Sequence, residues 1–519
     1  MQTSALPRII MGAAFTLLAL IATLQIFTSQ GNVLGNSFRY LTPLALALAM
    51  VAPRMSFYLL LMAGAYLDCI KRFMIMDSRF SDVDLAFMLS FAPALVAGMV
   101  LKFLFSAVMG SGQVSKREVV LFFVITFVCC VMGGTQLMME GGLRNAGNAV
   151  NTVAYLYMPL LLPRIFNGIA DLKKLMLSVV LIYLPAALWA IHQAYFGIAD
   201  FEMQYLLSGM TIEVRQLDEE VFRNMGTMVS AHALSMVASI LFASLLLPVI
   251  WKKGKISLRA WLNPVRWLVL VLFMASAYFT FSRTGWACAI IALLAFCCLQ
   301  SKLLTYTAFF SALAGISILY LSADHLLTSR VMVNAQEQLF EKFGASPEIR
   351  QTLVLGTLDA RLESMASFVN DADLWTPFGM KIAGTEPNVN WIHDILTETL
   401  IKIGYIPLSI AVLGLIVGTL YVFRLVFRMP KGPHRTLITY FFALGIGMVS
   451  GGFSQGIMIL YFPINLFWCM FFGIAFSIYQ WWLADASSLK IYEPLGGAAT
   501  GRAAGQGSGL FPAPAGRTA

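Results

Sequence analysis

Apolar runs follow one another along this chain with few polar interruptions. Runs of roughly 17 to 25 residues are long enough to cross a hydrocarbon core of about 30 Å as helices. Read this way, the sequence predicts about fourteen spans, at 9–28, 38–52, 55–71, 84–107, 118–136, 149–164, 174–196, 228–251, 265–282, 284–300, 303–322, 393–423, 435–454 and 457–482. The second, third and sixth of these are short. The runs are continuously apolar and do not alternate with a period of two, which selects helices over barrel strands. The stretch 265–300 tests the parsing. As one helix it would reach about 54 Å at about 1.5 Å per residue, too long for one crossing. A turn is therefore expected near Ser282-Arg283-Thr284.

One interruption is large. About seventy mostly polar residues run from Leu321 to Trp391 and close on Asn390-Trp391-Ile392-His393-Asp394, where the next apolar run begins. The expected fold is an all-α polytopic transmembrane helix bundle with one large exterior loop, 323–391. It divides into an N-terminal bundle at 1–196, a core at 197–482 and a tail at 483–519. From about Leu495 the tail is rich in Gly, Ala and Pro, the composition of a disordered extension. Composition agrees with a membrane chain: 59% of residues are hydrophobic, 12% are charged, and the mean hydropathy is +0.78. Arg8 before the first run reads as the basic flank of a retained signal anchor.

Charge orients the bundle. The connections Lys102–Arg117, Arg164–Lys174, Lys252–Arg266 and Arg424–Arg435 are basic with little acid, and all fall on one side of the count. That side is expected to be cytoplasmic, which leaves 197–227 and 323–391 outside. Lys71 and Arg72 land outside too, against the pattern. The net charge of +9 is then a topology signal and not a nucleic-acid footprint. All seven cysteines fall within or beside predicted spans, so neither a structural disulfide nor a cysteine metal site is expected.

The junction at His393 is the first place to look for chemistry. No two of the five histidines have the i, i+4 spacing of a helical metal pair, and no H-E-x-x-H occurs. His192 and His232 lie in or near spans, His434 in a basic turn and His325 near the start of the exterior loop. His393 instead starts a helix at the end of that loop, with Asp394 beside it and Glu398 five residues on. A neutral imidazole there can accept a proton from a hydroxyl, its basicity tuned by either carboxylate. The bland alternative is an interfacial cap residue. Arg223, Arg283 and Arg361 are all expected on the same exterior side, where guanidinium groups suit phosphate oxygens bidentately. An arginine at a helix end also commonly snorkels to lipid headgroups.

Together these segments resemble the O-antigen ligase and polysaccharide polymerase superfamily. Arg223-x-x-Gly226-Thr227 is similar to its R-x-x-G-T segment, and Ser282-Arg283-Thr284-Gly285-Trp286 to its S-R-[GT]-[AG]-W stretch. Arg361, then Pro377-Phe378-Gly379, then His393 with Glu398 and Gly404, resembles its large exterior loop and following helix. Where the family often has Asn and an acid, this chain has Asp394 and Lys402. The resemblance implies a bacterial inner-membrane enzyme whose active site faces the periplasm. It implies metal-independent transfer of a glycan from undecaprenyl diphosphate to an acceptor sugar hydroxyl, with no cofactor. His393 would be the general base, and Arg223, Arg283 and Arg361 would hold the diphosphate, with Asp394 and Glu398 supporting. The implied partners are the lipid-linked donor, a glycan acceptor, membrane lipids and other polysaccharide export proteins, with no nucleic acid. A polymerase joining repeat units is the first reading, and a ligase delivering glycan to lipid A core or another acceptor the second. A transporter or flippase would instead require charges buried mid-span and broken helices.

Overall fold

A computed structural model of the chain describes residues 32–76, 80–108, 116–140, 142–207, 216–218, 221–222, 224–250, 263–327, 356–379, 394–456 and 460–484. The expected span at 9–28 with Arg8, most of the basic connection after Lys252, the loop segments 328–355 and 380–393, and the tail from 485 lie outside the described residues.

The described chain is helical throughout except for one short antiparallel pair, β1 (Gln216–Asp218) and β2 (Val221–Phe222). The first half comprises α1 (Val33–Val51), α2 (Pro53–Ile75), α3 (Asp82–Val108), α4 (Lys116–Glu140), α5 (Gly142–Val153), a 3-10 turn (Ala154–Tyr157), α6 (Met158–Ile165), α7 (Ile169–Phe196) and α8 (Asp200–Leu207). The second half comprises α9 (Ala231–Ile250), α10 (Pro264–Phe279), α11 (Arg283–Cys298), α12 (Lys302–Leu327), α13 (Gly356–Asn370), α14 (Ile395–Ile403), α15 (Tyr405–Arg428), α16 (Pro433–Ser450), α17 (Gly452–Gln455) and α18 (Ile464–Ala484).

Six helices among the described residues are long and apolar enough to cross a membrane: Asp82–Val108, Ile169–Phe196, Lys302–Leu326, Tyr405–Arg428, His434–Gln455 and Ile464–Leu483. Four more are apolar but shorter: Glu118–Gly134, Ala231–Leu247, Pro264–Phe279 and Arg283–Cys298. This architecture is compatible with a multi-pass membrane protein. Burial sorts the long helices. The spans at 434–455 and 464–483 are 61% and 56% buried, whereas those at 302–326 and 405–428 are each 11% buried and form the rim. One continuous core joins the first half to α9, α11, α16 and α18, with Phe57, Leu60, Phe273, Phe467 and Phe471 wholly inside it.

Two predicted spans are broken. The run 149–164 is α5, a 3-10 turn and α6, the last with prolines at 159 and 163 that remove backbone donors. The run 393–423 is α14 and α15, separated by Gly404 at φ +84, a left-handed conformation that stops the first helix. The predicted turn within 265–300 does form, at Thr280–Ser282, and the two helices it joins both pack on α9; Arg283 is the first residue of α11 and not part of the turn.

Candidate functional site

The segments singled out from the sequence form three polar clusters, the first at the turn between α10 and α11. Ser282 is buried, and its Oγ lies 2.8 Å from His232 Nδ1 near the start of α9. Ser235 Oγ donates to the Ser282 carbonyl at 3.2 Å. Thr284 Oγ1 is 2.9 Å from Ser454 Oγ and accepts from Gln455 Nε2 at 2.8 Å, both residues of α17. Gly285 packs so closely on α9 that a Cβ there would lie 2.5 Å from the Ser235 carbonyl oxygen. Every neighbour of Arg283 in the motif is thus held inward by α9 or α17, while Arg283 itself is exposed.

Arg283 is also out of place electrostatically. It occupies the N-terminus of a 16-residue helix, where the unsatisfied N–H groups carry partial positive charge and favour an anion. A cation there is a local mismatch that a bound anion would relieve.

The second cluster forms around Asp394. The carboxylate is completely buried and caps α14, accepting the Thr397 N–H at 2.9 Å. One oxygen accepts the Tyr320 hydroxyl of α12, and the other accepts the Ser364 hydroxyl of α13. Thr397 Oγ1 returns a bond to the Ser364 carbonyl at 3.1 Å. Around this node Leu362, Met365 and Ala366 of α13 pack on Tyr320 and Ala323 of α12. A buried carboxylate with three donors is fully satisfied, and here it joins three helices at one point. Asp394 therefore latches α13 to α12 and to the start of α14.

The same junction is closed from the other side. Tyr405 N–H donates to the Thr376 carbonyl at 2.9 Å, and Ile406 N–H to that of Pro377 at 3.3 Å. A Cβ on Gly404 would lie 2.5 Å from the Phe378 nitrogen, and one on Gly379, at φ +89, 2.7 Å from the Lys402 carbonyl oxygen. The Pro377-Phe378-Gly379 segment is laid against the break between α14 and α15.

The third element is the segment before α9. Asn224, Met225, Gly226 and Thr227 are buried. Gly226 adopts φ +57. Its N–H donates to Gln193 Oε1 at 2.8 Å, and Thr227 Oγ1 donates to the Ala65 carbonyl at 2.6 Å.

Of the six residues singled out from the sequence, His393 and Arg223 lie outside the described residues. Arg283 and Asp394 belong to clusters linked through α17, which touches α11 at Thr284 and packs against α14. Arg361 is half-buried on α13, in the helix that Asp394 holds. Glu398 forms an i, i+4 ion pair with Lys402 at 3.0 Å, so the lysine that departs from the family pattern meets the acid one turn earlier. Sequence reasoning missed His232, Tyr320 and Ser364. His232 was set aside as a span residue, although its place two residues after Ser230, the side chain capping α9, marks it as a helix-end group. Tyr320 and Ser364 lie 74 and 30 residues from Asp394, and no local pattern pairs them. Comparison with family models, with curated proteins and with solved structures gives no match for this chain.

Proposed function

We propose that this chain is a glycan transferase of the bacterial inner membrane, working at the periplasmic face on an undecaprenyl-diphosphate-linked saccharide. The observation that carries the reading is Arg283: an exposed guanidinium at a helix N-terminus, its flanking Ser282, Thr284 and Gly285 all fixed to the bundle. Fixed neighbours leave this cation preorganised for an anion, and a diphosphate matches it in charge and geometry.

In this reading the acceptor sugar hydroxyl gives its proton to His393 as its oxygen attacks the anomeric carbon of the donor. The bond from that carbon to the diphosphate breaks, and undecaprenyl diphosphate leaves with both electrons of the bond. Arg283, with Arg223 and Arg361, compensates the charge that grows on the leaving oxygen, the service a metal ion gives elsewhere. Asp394 supports the step by fixing the start of α14, to which His393 is joined. The fourteen-span topology, with the loop 323–391 in the periplasm, belongs to the same proposal and is supported by the loop charges.

Joining repeat units of an exported polysaccharide is the first form of the reaction, and transfer of a finished glycan to lipid A core or another acceptor the second. The test replaces His393 and Arg283 separately with Ala, verifies insertion, and analyses lipid-linked glycans in the producing cells. Single lipid-linked repeats accumulate if the chain is a polymerase, and long lipid-linked polymer accumulates if it is a ligase. Normal glycan in both variants overturns the proposal and leaves a transporter or a non-catalytic export subunit.

A further inference from the structure

Lys71 and Arg72 break the loop-charge pattern, and their surroundings explain why they do so without penalty. Lys71 Nζ bonds the Tyr205 hydroxyl at 3.1 Å and sits 5.3 Å over the Tyr205 ring. Arg72 and Glu202 form an ion pair in which both side chains are 0% exposed. Arg72 is neutralised by Glu202 and Lys71 is held by Tyr205, both residues of α8, so neither is a bare loop charge of the kind that orients a span.

Arg72 reaches further than its ion pair. Nη1 donates to the Gly226 carbonyl at 2.7 Å as well as to Glu202, and Nη2 donates to the Met228 carbonyl. Glu202 in turn accepts from Gln193 Nε2 at 2.8 and 2.9 Å and from Trp189 Nε1 at 3.1 Å. Because Gln193 Oε1 accepts the Gly226 N–H, Gly226 is gripped at both its N–H and its carbonyl by one network. The glycine is required: at φ +57 a Cβ would lie 2.7 Å from the Ala186 carbonyl oxygen. A buried ion pair adds little net stability, because desolvation of the two charges cancels most of their attraction. What this one supplies is geometry, since a planar guanidinium can hold a carboxylate and two carbonyls in fixed directions where a lysine ammonium cannot.

We propose that Arg72 and Glu202 form an internal strut that positions the Asn224–Met228 segment and, with it, the start of α9, where His232 holds Ser282 beside Arg283, the residue that meets the diphosphate of the donor in the reading above. Arg72 touches no substrate and is a positioning residue. The inference rests on the donor reading above only for its last step; the anchoring of the segment stands apart from it.

The experiment uses the full chain in lipid nanodiscs, with undecaprenyl diphosphate as the probe. Amide hydrogen exchange across 224–228 and the Kd for the probe are measured in the wild type, Arg72→Lys and Arg283→Ala. Arg72→Lys is expected to speed exchange at 224–228 and to raise Kd about tenfold, the scale of one lost charge-assisted hydrogen bond. Where Arg72→Lys does not accumulate, Gln193→Leu, which cuts the second tie to Gly226 and leaves the ion pair, carries the same expectations. Unchanged exchange overturns the strut. Faster exchange with unchanged Kd, in a protein whose Arg283→Ala variant binds weakly, overturns the positioning role and leaves the donor reading standing. A wild type that does not bind undecaprenyl diphosphate overturns both the donor reading and the link to Arg283, while the exchange result still decides the anchoring.

Discussion

Gly379 and Gly404 meet backbone to backbone at the break between α14 and α15. Both have positive φ, and neither has room for a side chain. Gly404→Ala forces a left-handed alanine against the Phe378 nitrogen, a strain of about 1 to 3 kcal/mol. The expected result is a lower thermal transition together with faster amide exchange at Tyr405 and Ile406, whose N–H groups donate to the Thr376 and Pro377 carbonyls. Gly414→Ala, inside α15, is the control: a Cβ there meets nothing within 4 Å, and no loss of stability is expected.

Asp394→Ala should be the most damaging single change near the site. It removes the cap of α14 and leaves the hydroxyls of Tyr320 and Ser364 without their acceptor in a buried place. Loss of a cap and stranding of two donors together cost about 2 to 4 kcal/mol. Thermal denaturation checks the size, and limited proteolysis within Gly356–Asn370 checks that α13 is released. Ser364→Ala leaves Tyr320 in place and should cost less.

Gly285 and Arg283 lie two residues apart and should separate stability from activity. Gly285→Val drives a side chain into the backbone of Ser235, which cannot turn aside, and should destabilise the protein by more than about 1 kcal/mol. Arg283→Ala removes a cation from a helix N-terminus and is expected to leave thermal stability unchanged or higher. Glycan transfer by Arg283→Ala should nevertheless fall at least about 100-fold, the scale for a group that stabilises developing charge. Parallel loss of stability and activity in Arg283→Ala would show that the residue is structural.

Much of this architecture is legible in the sequence, because apolar run length measures membrane thickness directly. The runs at 84–107, 174–196, 303–322 and 435–454 correspond to long apolar helices, and length alone requires a turn within 265–300, which lies at 280–282. The division at Gly404 is hidden, since hydropathy records which residues are apolar and not which backbone turns left-handed. Pairing across distance is hidden as well. Arg72 contradicts the charge pattern until Glu202, 130 residues away, is placed beside it. At the site, sequence reasoning treats Asp394 as a neighbour that tunes His393, whereas both its oxygens are engaged by α12, α13 and its own helix. Sequence pattern alone gives no reason for the motif glycines, and packing supplies one for Gly226, Gly285, Gly379 and Gly404: each lies where a Cβ would strike a backbone atom.

The central claim is tested most directly by reconstitution. Lipid-linked glycan extracted from cells carrying the His393→Ala variant is supplied to the purified full chain in proteoliposomes, and release of undecaprenyl diphosphate is measured together with growth or transfer of the glycan. The wild type is predicted to release undecaprenyl diphosphate in step with each glycosidic bond formed, and the His393→Ala protein to release essentially none. Equal release by the two proteins, or none by either with an acceptor present, would contradict the account.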